Sequence, residues 1–187
     1  NTLSKIAIEK AGIIKPKTPI VISETQKEIK NIFIAAAKKN RSPITFADKI
    51  YLHQKENYRP QKGHSEHVYK AKGKKKKIVC DLSGTYQENN IAGVLATLEL
   101  ARKSFKLKEK EILKGLKKVK ALTGLHGRWE LLNKHPRIIC DAGHNAEGIK
   151  EVLKCVKREY DSDIAKGILH VVFGAVIDKD LKTVFSL

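Results

Sequence analysis

Apolar residues change their spacing several times along the chain. In the first quarter, helical repeats of three to four residues alternate with short apolar runs. These patterns predict helices at 3–11 and 26–40 and strands at 20–23 and 44–47. Gly12 suits the C-terminus of the first helix. A strand, a helix and a second strand in this order are typical of a βαβ unit.

The pattern then changes to short alternating or β-branched runs separated by polar turns. It predicts three strands, which we interpret as an antiparallel extension of a sheet, at 50–53, 67–70 and 77–82. The lysine run Gly73–Lys77 lies between two of them and is predicted to be a turn. Two helices are expected next, at 86–104 and 109–122. Residues 123–127 are expected to form a hinge.

Beyond this hinge the pattern predicts a second α/β region. Strands are expected at 129–132, 137–140 and 168–175, with a helix at 146–160 and another opened by Asp178 to Asp180. The strands at 137–140 and 168–175 are expected to be buried, the first of them in a parallel sheet. A βαβα order that ends after its second helix is half of a doubly wound domain. Because the chain also lacks methionine, we expect an internal fragment of a longer protein.

Composition favours a soluble, cytosolic protein. Hydrophobic residues make up 41% of the 187 positions, which is ordinary for a globular core. The apolar runs are too short to cross a bilayer, and no signal segment is evident. The three cysteines lack metal-ligand spacing, so we expect free thiols, with Cys140 buried in a core strand.

A formal net charge of +18 raises nucleic acid as a partner. The lysines are scattered over helix faces and one turn, and no nucleic-acid-binding motif accompanies them. Small polyanionic ligands suit this charge equally well.

Two polar clusters follow predicted strands. Asp141, His144 and Asn145 come directly after the strand at 137–140, where open α/β sheets bind ligands. Asp141 suits a ribose hydroxyl and His144 a phosphate or base, but Asp141 and Asn145 could equally cap the next helix. Gln87 and Asn90 share a helical face, and their amides suit an adenine edge or a helix cap.

Two basic residues have similar alternatives. Lys10 lies on the last turn of the first helix, where a lysine commonly interacts favourably with the negative end of the helix dipole. Arg128 lies at the hinge. It is either a surface charge or a clamp that meets phosphates when domains close.

Taken together, five motifs resemble the folylpolyglutamate synthase / dihydrofolate synthase family of the Mur ligase superfamily. They occur in the family's order across nearly the whole chain, at Thr2–Pro16, Leu82–Asn90, Gly127–Arg128, Asp141–Asn145 and Gly174–Asp180. The run Glu9-Lys-Ala-Gly-Ile-Ile14 is the most family-specific. The fold that the resemblance implies is α/β: the end of a P-loop-type central ATPase domain (1–122), a hinge (123–128) and the first half of a Rossmann-like C-terminal domain (129–187).

The resemblance implies an ATP-dependent amide ligase of folate biosynthesis and one-carbon metabolism. ATP would phosphorylate a folate or dihydropteroate carboxylate, and the amine of L-glutamate would attack the acyl phosphate. By residue-to-residue correspondence, Lys10 matches a carbamylated lysine that helps hold Mg²⁺, and Gln87 and Asn90 match adenine-side amides. Arg128 matches a phosphate-contacting arginine with a catalytic role, and Asp141 and His144 match a nucleotide-contacting pair.

The chain also departs from the family pattern. The family's glycine-rich phosphate loop and its magnesium-binding histidine lie upstream of residue 1, so the fragment alone is expected to be inactive. The family's Asp-Gly-Ala-His-Asn-Pro reads Asp-Ala-Gly-His-Asn-Ala here. We expect a cytoplasmic monomer with small-molecule partners and neither nucleic acid nor membrane. The alternatives are a peptidoglycan-precursor ligase and a non-catalytic basic module that binds nucleotides or nucleic acid.

Overall fold

The computed structural model describes residues 2–59, 63–102, 104–162, 167–174 and 186. The N-terminal elements are α1 (Leu3–Ala11), β1 (Ile20–Ile22), α2 (Lys30–Lys39), β2 (Ile44–Phe46), α3 (Ala47–Ile50), β3 (Leu52–Arg59), β4 (His64–Ala71) and β5 (Lys74–Cys80). The C-terminal elements are α4 (Gln87–Ala101), α5 (Glu109–Leu116), α6 (Val119–Thr123), β6 (Glu130–Lys134), β7 (Arg137–Cys140) and α7 (Ala146–Asp161). Helices and strands are interspersed along the chain, as the α/β prediction requires.

The chain divides into two compact units, each assembled from segments that are distant in sequence. The first unit comprises Asn1–Glu56, His67–Ile78 and Glu88–Lys114. The second comprises Asn57–Glu66, Val79–Gln87 and Gly115–Leu187.

The predicted βαβ unit is confirmed. β1 and β2 are parallel, with Ile20 opposite Ile44 and Ile22 opposite Phe46, and α2 connects them. The loop after β1 is tied to α3, since Thr25 donates from its backbone N and its Oγ1 to the Asp48 carboxylate at 3.2 and 2.7 Å. Burial opposes the charge of Asp48, but these bonds and the nearby Lys49 keep its pKa below the ordinary value.

The three predicted middle strands exist but form their own sheet, in the order β3-β4-β5. The prediction that they extend the first sheet is wrong for the described residues, in which β1 and β2 pair only with each other. The prediction of a turn at Gly73–Lys77 is also wrong, because Lys74–Lys77 belong to β5. The turn needs only Lys72 and Gly73, whose positive φ angles of 50° and 74° suit a two-residue antiparallel hairpin.

β4 anchors the start of α4 within the first unit. Every second residue of β4 is buried, as expected for a strand with one covered face. Tyr69, on that face, donates its hydroxyl to the Glu88 carbonyl at 2.7 Å. His53 on β3 lies 2.9 Å from the Glu88 carboxylate. The first turn of α4 is thereby fixed to the sheet.

The helix predicted at 109–122 is two helices, α5 and α6. The break occurs where the Asp81 carboxylate accepts the N–H groups of Val119 and Lys120, each at 3.0 Å. A carboxylate that satisfies free backbone N–H groups allows a new helix to begin there. Asp81 lies far away in sequence, so helical periodicity could not reveal the break.

The strand at 137–140 is confirmed as β7, but its predicted parallel, buried setting is wrong. β7 pairs antiparallel with β6, which runs from Glu130 to Lys134 rather than 129–132. A connection of only two residues, His135 and Pro136, can join only antiparallel strands. Alternate residues of β7 are exposed, Cys140 among them, so the expected burial of this thiol is also wrong.

The end of the chain departs further from the prediction. Ile168–Gly174, the described part of the strand expected at 168–175, is not a strand, and Val172 is fully exposed. An apolar run becomes a strand only when a partner strand satisfies its backbone, and no described residues provide one here. The helix expected from Asp178 to Asp180 lies outside the described residues. No helix in the described part is both long and apolar enough to span a bilayer.

Two helical glycines give a matched test of the packing. A Cβ added at Gly93 in α4 would lie 2.1 Å from Oγ and 3.0 Å from Cβ of Ser23, whereas one added at Gly115 in α5 meets nothing within 4 Å. Alanine is favoured over glycine in a helix by up to about 1 kcal/mol, and overpacking costs about 1–3 kcal/mol. We therefore expect Gly93→Ala to lower the melting temperature and Gly115→Ala to raise it slightly. Stabilisation by both substitutions would contradict the close approach of α4 to Ser23.

Candidate functional site

The carboxylate of Asp141 is the centre of the site in the second unit. It follows the last residue of β7 and accepts three hydrogen bonds, all at 2.8 Å: Gly143 N donates to Oδ1, and Trp129 N and the Tyr86 hydroxyl donate to Oδ2. A carboxylate held by donors from three segments has a fixed orientation. The alternative that Asp141 caps α7 is wrong for this structure.

Asn145 does cap α7, as the structural alternative predicted. Its side chain accepts the Gly148 N–H at 2.8 Å. Gly143 lies tightly against this helix start, where an added Cβ would be 3.1 Å from the Gly148 carbonyl oxygen. The DAGHN motif therefore combines a helix cap with an oriented carboxylate.

Tyr86 is a dependable donor to Asp141. Burial, together with the hydrogen bond to Asp141, raises the pKa of Tyr86 well above its ordinary value, while the positive charge of Arg128 opposes this shift. The hydroxyl therefore stays protonated at neutral pH. Arg128 adjoins Trp129, whose backbone N–H donates to the same carboxylate.

The backbone around Arg128 is fixed by hydrogen bonds on its N-terminal side. Gly127, buried and with a φ of +69°, donates its N–H to Glu130 Oε2 at 2.8 Å and accepts the Ala142 N–H at 2.9 Å. Arg128 is half-buried and donates from Nη1 to the Gly127 carbonyl at 3.0 Å. One nitrogen of the guanidinium is thereby positioned.

His144 is exposed and lies three residues after Asp141, in the same loop. Its Nδ1 lies 3.0 Å from the Ala142 carbonyl oxygen, which can only accept, so Nδ1 carries the hydrogen. This leaves Nε2 as an acceptor in the neutral ring and a donor in the protonated ring. The second unit thus brings Arg128, Asp141 and His144 into one loop cluster.

The remaining predicted residues lie elsewhere. Gln87 begins α4, belongs to the second unit and is 3% exposed, whereas Asn90 belongs to the first unit, is exposed and lines a groove with Val21 and Ser23. Lys10 lies in the last turn of α1 in the first unit, exposed, with Nζ 3.2 Å from Glu9 Oε1. The joint adenine site of Gln87 and Asn90 stays a prediction.

Sequence reasoning missed Tyr86 and Trp129. Each adjoins a residue that was singled out, Gln87 and Arg128, and Trp129 is the only tryptophan in the chain. These adjacencies were the available signal. That both residues donate to Asp141 depends on contacts across 55 and 12 positions of the chain.

Asp141→Asn tests how firmly this carboxylate holds its neighbours. An amide has one acceptor oxygen in place of two, so at least one buried donor loses its partner, at a cost of about 1–3 kcal/mol. We expect a lower midpoint in chemical unfolding for this variant. His144→Ala, at an exposed position, should leave the free energy of unfolding within about 0.5 kcal/mol of wild type. Equal stability of all three proteins would contradict the hydrogen bonds to Asp141.

Comparison with known proteins agrees with the resemblance in the sequence motifs. No family model matches the chain. The chain is 31% identical over 182 residues to the dihydrofolate synthase/folylpolyglutamate synthase of Bacillus subtilis (strain 168). This match covers 96% of the chain and 40% of that protein.

Two solved structures share the fold. The folylpolyglutamate synthase from Thermotoga maritima matches with a TM-score of 0.67 and 29% identity, over 83% of this chain and 35% of that one. An FPGS–AMPPCP–folate complex matches with a TM-score of 0.73 and 24% identity, over 84% and 38%. The predicted α/β fold class is confirmed. The chain spans about 40% of the length of the curated relatives it matches and, over nearly its whole length, is similar to members of the folylpolyglutamate synthase / dihydrofolate synthase family.

Proposed function

We propose that this chain forms part of an ATP-dependent ligase that adds L-glutamate to a folate or dihydropteroate carboxylate through an acyl phosphate. The similarity to this family supports the reaction class, and one of the solved structures that share the fold is an FPGS–AMPPCP–folate complex. The observation that carries the proposal is the Asp141 carboxylate, held by three donors beside Arg128 and His144. The proposed enzyme is cytoplasmic and monomeric, and its partners are small molecules.

Asp141 retains capacity for a nucleotide. A carboxylate offers about four acceptor positions, two on each oxygen. Trp129 and Tyr86 occupy both positions of Oδ2, whereas Gly143 occupies one position of Oδ1. The remaining position of Oδ1 can accept a ribose hydroxyl, and Nε2 of His144 can bind a neighbouring group of the nucleotide.

Arg128 supplies charge for phosphoryl transfer. A guanidinium has five N–H donors, of which one is used on the Gly127 carbonyl, so the others can meet phosphate oxygens. Phosphoryl transfer depends mainly on positioned cations around the developing negative charge. An arginine whose backbone is already fixed needs little reorganisation to provide one.

Lys10 is proposed to act as a carbamate. Its amine is exposed and therefore accessible to carbon dioxide, and a carbamate would offer Mg²⁺ the oxygen ligand that this hard cation prefers. The described residues contain no group of three or more His, Cys, Asp or Glu side chains arranged for a metal. As a carbamate, Lys10 would supply one oxygen ligand, and Mg²⁺ when bound would neutralise phosphate charge.

The finer assignments are also proposals. Gln87 and Asn90 would face adenine, and the boundary between an ATPase domain and a C-terminal domain would fall at 123–128. Positive φ angles at Gly124 and Gly127 support a sharply turning connection there. ATP-dependent ligation assayed with folates, dihydropteroate and a peptidoglycan precursor as acceptors would separate the proposal from the alternative Mur-type ligase.

Replacing Arg128 in the intact enzyme tests the proposed phosphate contact. We expect Arg128→Ala to lower kcat/KM for ATP by about 100-fold or more, as for loss of a preorganised charge donor. Arg128→Lys should remain impaired because ammonium cannot reproduce a planar fork. Steady-state kinetics provides the measurement, with Arg102→Ala, an exposed arginine of the first unit, as the control. Wild-type kinetics of Arg128→Ala would remove the role.

Lys10→Ala in the intact enzyme separates a carbamate from a solvated charge. Loss of a magnesium ligand should nearly abolish turnover, and a short carboxylic acid in the buffer should restore part of it. A lysine that only answers the helix dipole contributes about 0.3–1 kcal/mol of stability and would leave turnover intact. Lys5→Ala, on the same helix, is the matched control. Full activity of Lys10→Ala would show that no carbamate is needed.

A further inference from the structure

A second carboxylate of the second unit, that of Glu159, is buried and contacts Trp129. Glu159 of α7 is 2% exposed. Arg137 donates to it twice at 2.6 Å, from Nε to Oε2 and from Nη2 to Oε1. Oε1 also accepts the Tyr58 hydroxyl and, at 3.2 Å, the Trp129 Nε1–H. A bidentate arginine fork with two further donors is a strong and geometrically specific arrangement.

This network keeps its charges at neutral pH. Burial opposes ionisation of Glu159, but the hydrogen bonds from Arg137 and Tyr58 outweigh it and hold its pKa below the ordinary value. Burial and the neighbouring Glu159 raise the pKa of Tyr58, which therefore remains a donor. The Arg158 guanidinium lies 3.7 Å from the centre of the Tyr58 ring and donates to the Ser83 carbonyl at 2.8 Å. The ring of Tyr58 is thereby held in place.

Trp129 is held from two directions in an unfavourable backbone conformation. Its φ of +48° is an outlier for a bulky residue, and such conformations persist only where the surroundings impose them. Its backbone N–H donates to Asp141, and its indole N–H donates both to Glu159 and, at 3.0 Å, to the Tyr58 hydroxyl. The carboxylates of Asp141 and Glu159 therefore act on opposite ends of one residue.

Trp129 directly follows Arg128, and the two share a planar peptide group. Fixing the Trp129 N–H therefore fixes the orientation of the Arg128 carbonyl, while Gly127 is fixed on the other side. We propose that Glu159 is a positioning residue for Arg128, acting through the indole of Trp129 to hold the backbone from which the phosphate-binding guanidinium extends. This inference rests on the proposed phosphate contact of Arg128.

Trp129→Phe in the intact enzyme tests the positioning role of Glu159, because phenylalanine keeps an aromatic ring and removes the indole N–H. We expect kcat/KM for ATP to fall about three- to tenfold, the size of one lost hydrogen bond. The KM for glutamate should not change. In an Arg128→Ala background the same substitution should change kcat/KM less than about twofold, since effects through a shared partner are non-additive.

Tyr160→Phe is the matched control, since it removes an exposed hydroxyl from the next position of α7 and should behave as wild type. If Trp129→Phe does not fold, Tyr58→Phe is measured instead in the wild-type and Arg128→Ala backgrounds. It removes one of the two acceptors of the indole N–H. Equal losses in both Arg128 backgrounds, or no loss at all, would overturn the positioning role while leaving the phosphate contact intact. Wild-type kinetics of Arg128→Ala would overturn both.

Discussion

The buried carboxylate of Glu159 is the constraint on which the arrangement of the second unit depends. It receives donors from β3, β7 and the loop before β6, so one helix side chain fixes three separate segments. Removing one partner would leave an uncompensated buried charge, which is far more costly than the loss of an exposed pair. Because Trp129 is one of these partners, the same requirement restricts the conformation of the loop that carries Arg128.

The chain has 38 basic and only 20 acidic residues, and several of the acidic side chains satisfy backbone N–H groups at turns and helix starts. Asp48, Asp81, Glu130 and Asp141 each accept at least one. Backbone groups outside regular structure need partners, and a carboxylate is a strong acceptor. The net charge of +18 therefore coexists with acidic residues that serve as internal structural acceptors, while many lysines remain at the surface.

The candidate site was only partly predictable. The position of Asp141 after a strand is a local property, and the sequence identified it together with His144 and Arg128. The donors Tyr86 and Trp129 were missed because a hydrogen bond between distant segments produces no periodic pattern in the sequence. Lys10, Gln87 and Asn90 were singled out by their positions on helices, and the roles that the resemblance implies for them depend on ligands rather than on packing.

Sequence alone indicated most of the element order, the α/β class and the parallel pairing of β1 with β2, and it offered Asn145 as a helix cap, because propensity, periodicity and capping act over a few residues. Tertiary structure decided that β3–β5 form a separate sheet, that α5 and α6 are two helices and that β7 is antiparallel and half-exposed. It also decided that 168–174 is not a strand. Each of these outcomes depends on which backbone groups find partners, and those partners lie in segments that no local window contains.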